Sequence, residues 1–130
     1  MQVSDYMSPA PVTIEPGTDY KHAFTIMQDK NLHHLPVLDS SSAIIGIVAR
    51  RDLQVAAQCF HEAPVEVSEV MHTPVTTVTA NESLASAVER MKDQGIGCLP
   101  VIDDGDRQLV GIITESDMLR ALNELLAKHG

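Results

Sequence analysis

The apolar positions of this chain trace one pattern and then trace it again. A β-branched run at 12–14 leads into apolar residues at Tyr20, Ala23, Phe24 and Met27. That i, i+3, i+4, i+7 spacing turns one face of a helix toward a core. Asp19 stands where an N-cap belongs, and Asn31, a residue type that tolerates left-handed backbone, stands just past the end. Two further apolar runs at 35–38 and 44–48 predict strands, joined by a hairpin turn over Ser40, Ser41 and Ser42. A second helix follows from about residue 51 to 57.

Sixty-four residues on, the same order returns. Thr13-Ile14 becomes Thr77-Val78, and Leu35-Pro36-Val37-Leu38-Asp39 becomes Leu99-Pro100-Val101-Ile102-Asp103. One extra residue then moves the offset to 65, so that Gly46-Ile47-Val48 aligns with Gly111-Ile112-Ile113 and Asp52 with Asp117. The second copy predicts a strand at 76–78 and a helix capped by Ser83 with Leu84, Ala87, Val88 and Met91 inward. Strands at 99–102 and 109–113 meet through Asp104-Gly105-Asp106, and a last helix runs over about 115–128. Gly95 takes the place of Asn31, the same backbone requirement met by a different residue. The expected fold is α+β: two β-α-β-β-α repeats over 4–57 and 70–128, with a connector at 58–69. A unit of this size buries too little surface to stand alone, so the copies are expected to pack on each other.

Composition narrows the function. Of 130 residues, 18 are acidic and 9 basic, a net charge of −9 that argues against nucleic acid or an anionic membrane face as a bulk partner. No apolar run approaches the roughly 18 residues of a membrane span, and the first residues, Met1 to Asp5, carry no basic group, so no signal peptide is expected. Two cysteines are too few for a disulfide framework, and a reducing, cytoplasmic setting is the expectation. Without Trp, and with two Tyr and two Phe, the core must be aliphatic.

Met7-Ser8-Pro9, the Leu-Pro-Val-apolar-Asp segment and Gly111-Ile112-Ile113-Thr114-Glu115-Ser116-Asp117 recur in the order of a known module. The chain resembles a tandem pair of CBS domains, and the resemblance covers about residues 4 to 125. It implies repeats packed through their sheets with pseudo-twofold symmetry, leaving two clefts, and a regulatory rather than catalytic role. Related clefts bind AMP, ADP, ATP or S-adenosylmethionine, and two pairs often join as a homodimer. The implied ligand is therefore an adenosine-containing small molecule, with no cofactor required and a separate regulated protein as reader.

Residue by residue, the resemblance assigns Asp117 to the ribose hydroxyls and Thr114, beside the free amides of a helix start, to phosphate. Ile112 belongs to the same motif. It adds Val12, Ile14, His33, His34 and Pro36 from the first repeat, with Arg50 and Arg51 placed to approach the same phosphates. On spacing alone, Thr-x-x-Asp ahead of an apolar run also describes a capping box with Asp in place of Glu, and the two roles are compatible. His33-His34 equally describes a solvated turn, and Arg50-Arg51 an exposed first helical turn. If the histidines face phosphate, affinity falls as pH rises through the imidazole range. In the first copy Ala49 stands where Thr114 stands in the second, so the Asp52 cleft departs from the family pattern.

Other chemistry is not supported. Cys59-Phe60-His61 has no second ligand pair at zinc-site spacing, and no metal site is expected. Gly95-Ile96-Gly97 follows a helix rather than a strand and lacks the third glycine of a dinucleotide fingerprint. Cys98 adjoins an apolar strand and reads as a core residue, and no enzymatic activity is expected. The rival reading is a ligand-free dimerisation scaffold built on Leu119, Leu122, Leu125 and Leu126 of the last helix.

Overall fold

The computed structural model describes residues 1–60 and 63–129. The chain forms two compact units, one from Val12–Val75 and the other from Met1–Pro11 together with the chain from Thr76 onward. His61, at the edge of the Cys59 cluster, lies outside the described residues.

In the unit of residues 12–75, helix α1 (Tyr20–Lys30) is followed by a hairpin of β2 (His34–Leu38) and β3 (Ile44–Ala49), then helix α2 (Arg50–Phe60). In the other, β1 (Ser8–Pro9) precedes a run of β4 (Val78–Thr79), α3 (Leu84–Gln94), β5 (Cys98–Ile102), β6 (Leu109–Thr114) and α4 (Glu115–His129). Its sheet has the order β1-β6-β5-β4, with β4 parallel to β5 and the other pairs antiparallel. The first unit builds the same sheet in reduced form. Ile14 bridges Val37 in parallel and His72 bridges Ile47 antiparallel, at the positions where Val78 meets Val101 and Ser8 meets Ile112. The run at 12–14 is thus a single bridge rather than a strand, and its counterpart shifts to 78–79.

The caps fall where the sequence puts them. The Asp19 carboxylate accepts from Lys21 N, and the Ser83 hydroxyl accepts from Ser86 N. Asn31 (φ 54°, ψ 50°) and Gly95 (φ 64°, ψ 36°) both close their helices in the left-handed region. Tyr20, Ala23 and Met27 are buried from α1, and Leu84, Ala87 and Met91 from α3. Phe24 only flanks its core, and Val88 faces solvent, a correction to the inward face expected of it. Each unit has its own aliphatic core, centred on Leu35, Val37 and Val48 in one and on Leu99, Val101 and Ile113 in the other.

The spatial units depart from the expected repeats at their leading segments. Residues 1–11, expected from residue 4 in the first repeat, pack with the second; residues 66–75, expected in the connector and the second repeat, pack with the first. Each arm enters through a 3-10 turn, Val3–Asp5 or Val67–Glu69, whose valine is fully buried. Val3 N donates to Glu82 O at 2.9 Å and Ser4 N to Ala80 O at 3.0 Å. Their equivalents 64 residues on, Val67 N to Thr18 O and Ser68 N to Pro16 O, measure 2.8 and 3.1 Å. Each arm then crosses a strand at a glycine: Met7 lies over Gly111 and Met71 over Gly46, where any Cβ would collide.

Candidate functional site

The helix following each hairpin begins in the same way in both repeats. Residue N1 is tied to the pre-proline segment, Arg50 N to His33 O at 2.8 Å and Glu115 N to Gly97 O at 3.0 Å. Three residues past the N-cap, a carboxylate folds back onto it: Ala49 N donates to Asp52 Oδ2 at 2.8 Å, and Thr114 N to Asp117 Oδ2 at 2.9 Å. The Thr114 hydroxyl also donates to Asp117 Oδ2, at 3.3 Å. The capping role that the spacing allows is therefore real, and it occupies one oxygen of each carboxylate.

The second oxygen points elsewhere. Asp117 Oδ1 accepts from Arg120 Nη2 at 3.3 Å, and Asp52 Oδ1 lies 3.0 Å from His72 Nε2. Arg120 Nη2 also donates to the backbone oxygen of Tyr6 at 2.8 Å, and its guanidinium lies 5.1 Å from the Tyr6 ring centroid. The Tyr6 hydroxyl donates to Glu124, and that bond together with the carboxylate's charge holds the phenol above its usual range. Sequence reasoning missed both Arg120 and His72. Arg120 was findable, since i, i+3 places it beside Asp117 on one helix face; His72 was not, because it reaches Asp52 only through the arm.

The candidate residues divide between the units. Ile112, Thr114 and Asp117 belong to one, and Val12, Ile14, His33, His34, Pro36, Arg50 and Arg51 to the other. Within the latter, Ile14 and Pro36 meet directly, Ile14 N donating to Pro36 O at 3.1 Å. His34 pairs with Ala49 across the hairpin, and His33 and Arg51 are exposed. Arg50 is spent on structure: its Nη2 donates to Met27 O and Leu32 O, at 3.1 and 3.0 Å. That nitrogen serves the orphan carbonyls at the C-terminus of α1.

Cys98 is buried on β5 opposite Thr114, and burial, with the Asp117 charge nearby, pushes its thiol up to about 12. At neutral pH it is a protonated core residue rather than a nucleophile. Among the described residues no three His, Cys, Asp or Glu side chains gather as a metal site, and no helix is long and apolar enough to cross a membrane.

Known proteins share this arrangement. The CBS domain model matches residues 3–58 and 67–124. A homoserine O-acetyltransferase of Methanohalobium evestigatum is 32% identical over 122 residues, covering 94% of this chain and 24% of that protein. The choline transport ATP-binding protein OpuBA of Bacillus subtilis is 30% identical over 118 residues, covering 91% of this chain and 30% of that protein. The chain thus spans only a quarter to a third of these relatives. Among solved structures, the CBS domain pair of protein MJ0100, in complex with 5′-methylthioadenosine and S-adenosyl-L-methionine, superposes with a TM-score of 0.86 at 27% identity, covering 95% of this chain and 97% of that one. A putative acetoin utilization protein, AcuB, from Vibrio cholerae gives 0.83 at 34% identity, covering 98% and 93%. The two matched stretches cover most of the chain, which belongs to the CBS domain family as a tandem pair.

Proposed function

We propose that this chain is a regulatory module that binds an adenosine-containing small molecule through Asp117. The observation that carries the reading is the division of labour in that carboxylate. One oxygen is fixed by the helix start, and the other is held among the described residues by Arg120, whose side chain is 51% exposed. A ribose diol presents two donors that suit such a group, and family resemblance assigns Thr114 beside it to phosphate. Ile112 joins Thr114 and Asp117 within their unit by family resemblance. Similarity to the MJ0100 pair, solved with two adenosyl compounds, supports S-adenosylmethionine and 5′-methylthioadenosine as first candidates. AMP, ADP and ATP remain the alternatives.

Thermal unfolding with each of the five compounds tests the proposal. A ligand at 100 times its Kd stabilises the fold by about 2.7 kcal/mol, a clear rise in Tm. No shift with any of them removes the ligand reading in favour of a scaffold.

Occupancy would be read in the cytoplasm by a separate polypeptide and by a second copy of this chain. One observation favours the second copy. Leu119, Leu122, Leu125 and Leu126 lie 65%, 49%, 39% and 59% exposed on α4, a face that association would cover. Sedimentation equilibrium should give twice the 14.1 kDa chain mass, and Leu122→Lys with Leu126→Lys should return it to the monomer. A wild-type chain already monomeric at high concentration contradicts the dimer.

A further inference from the structure

In both units the outer oxygen of the motif carboxylate is linked to an arm, directly in the unit of residues 12–75 and through Arg120 in the other. For Asp52 the holder is His72, itself an arm residue, with Nε2 3.0 Å from Oδ1. For Asp117 it is Arg120, whose Nη2 bridges Oδ1 and the Tyr6 backbone oxygen of the arm at 3.3 and 2.8 Å. The arm is fastened a second time where the Tyr6 hydroxyl donates to Glu124. Two different side chains, reached by unrelated routes, thus do the same thing at equivalent positions. A ribose diol that engages both oxygens competes with them for the outer one.

We propose that Arg120 is a competing holder of the ribose-binding Asp117 carboxylate, so that ligand binding there loosens the arm of residues 1–11 attached to it. That arm is then the element that reports occupancy. The inference rests on the adenosyl-ligand reading above. Coupling is reciprocal: whatever loosens the arm favours the ligand, and the ligand loosens the arm by the same factor. Arg120 acts as a positioning residue and makes no contact with the ligand.

Hydrogen exchange and calorimetry on the whole chain, with S-adenosylmethionine and 5′-methylthioadenosine as probes, test this. Ligand should speed exchange of the Val3, Ser4, Tyr6 and Ala10 amides, which bond to Glu82, Ala80, Val3 and Val110. Arg120→Ala should already show that faster exchange without ligand. By removing a competitor worth no more than an exposed ion pair, it should tighten binding about two- to fivefold. Tyr6→Phe, which touches neither Asp117 nor Arg120's bond to it, should tighten binding in the same direction, a result that local damage at the carboxylate would not give. Binding that leaves arm exchange unchanged, or that weakens in both variants, overturns the coupling while leaving the ligand site standing. No binding to the wild-type chain overturns the ligand reading and this inference with it.

Discussion

Asp117→Asn should weaken S-adenosylmethionine binding by roughly 10- to 100-fold, since hydrogen bonds to an ionised group are worth about 1.5–3 kcal/mol and each 1.4 kcal/mol is tenfold. The substitution is chosen to separate ligand chemistry from folding. An amide oxygen can still accept from Thr114 N, now 2.9 Å from the carboxylate, so the helix start is kept. The amide's other atom is a donor, which cannot accept from a ribose hydroxyl. Asp52→Asn serves as the control. It sits in the same cap, 2.8 Å from Ala49 N, but in the repeat that lacks the threonine hydroxyl. Calorimetry of the two variants should show a large loss for the first and little change for the second. Equal affinity in Asp117→Asn and wild type would leave Asp117 as a cap alone.

The largest expected effect on stability comes from the arm crossing rather than from the core. A Cβ on Gly111 would lie 2.5 Å from Met7 Sδ and 3.0 Å from Ser8 O, and the second of these is backbone held in the β1–β6 pairing. Gly111→Val should therefore cost about 3 kcal/mol, the upper part of the usual overpacking range. Met7→Ala makes room for the added side chain, so the double variant should recover part of the loss. The two changes would then be non-additive by more than the roughly 0.5 kcal/mol that separates independent sites. Urea unfolding of the four species measures this. Full additivity would mean that Met7 does not lie over Gly111.

The local structure was legible because it depends on residues close in sequence. Asp19, Ser83, Asn31 and Gly95 each state their capping role through their own side chain or backbone freedom, and the structure places all four accordingly. The hairpins were likewise carried by alternating Leu-Pro-Val runs and by turn residues. What was not legible depends on chain-distant packing. Nothing in Val3 or Val67 says that each is buried in the unit of the other repeat, because a short apolar turn reads alike wherever it docks. The same holds for Arg50. Its position in the motif loop suggested an anion, but its reach to Met27 O and Leu32 O follows from how α1 ends above it. The inward role expected of Val88 failed because the helical period allows a wider stripe than the core covers. At the candidate site, Thr114 and Asp117 came from the motif, whereas His72 came only from the fold.

A crystal structure of the chain grown with S-adenosylmethionine tests the central claim most directly. The account predicts the ribose hydroxyls within hydrogen-bond distance of the Asp117 carboxylate, with Arg120 displaced from its outer oxygen. Ligand bound elsewhere, with Asp117 still holding both Thr114 and Arg120, would contradict it.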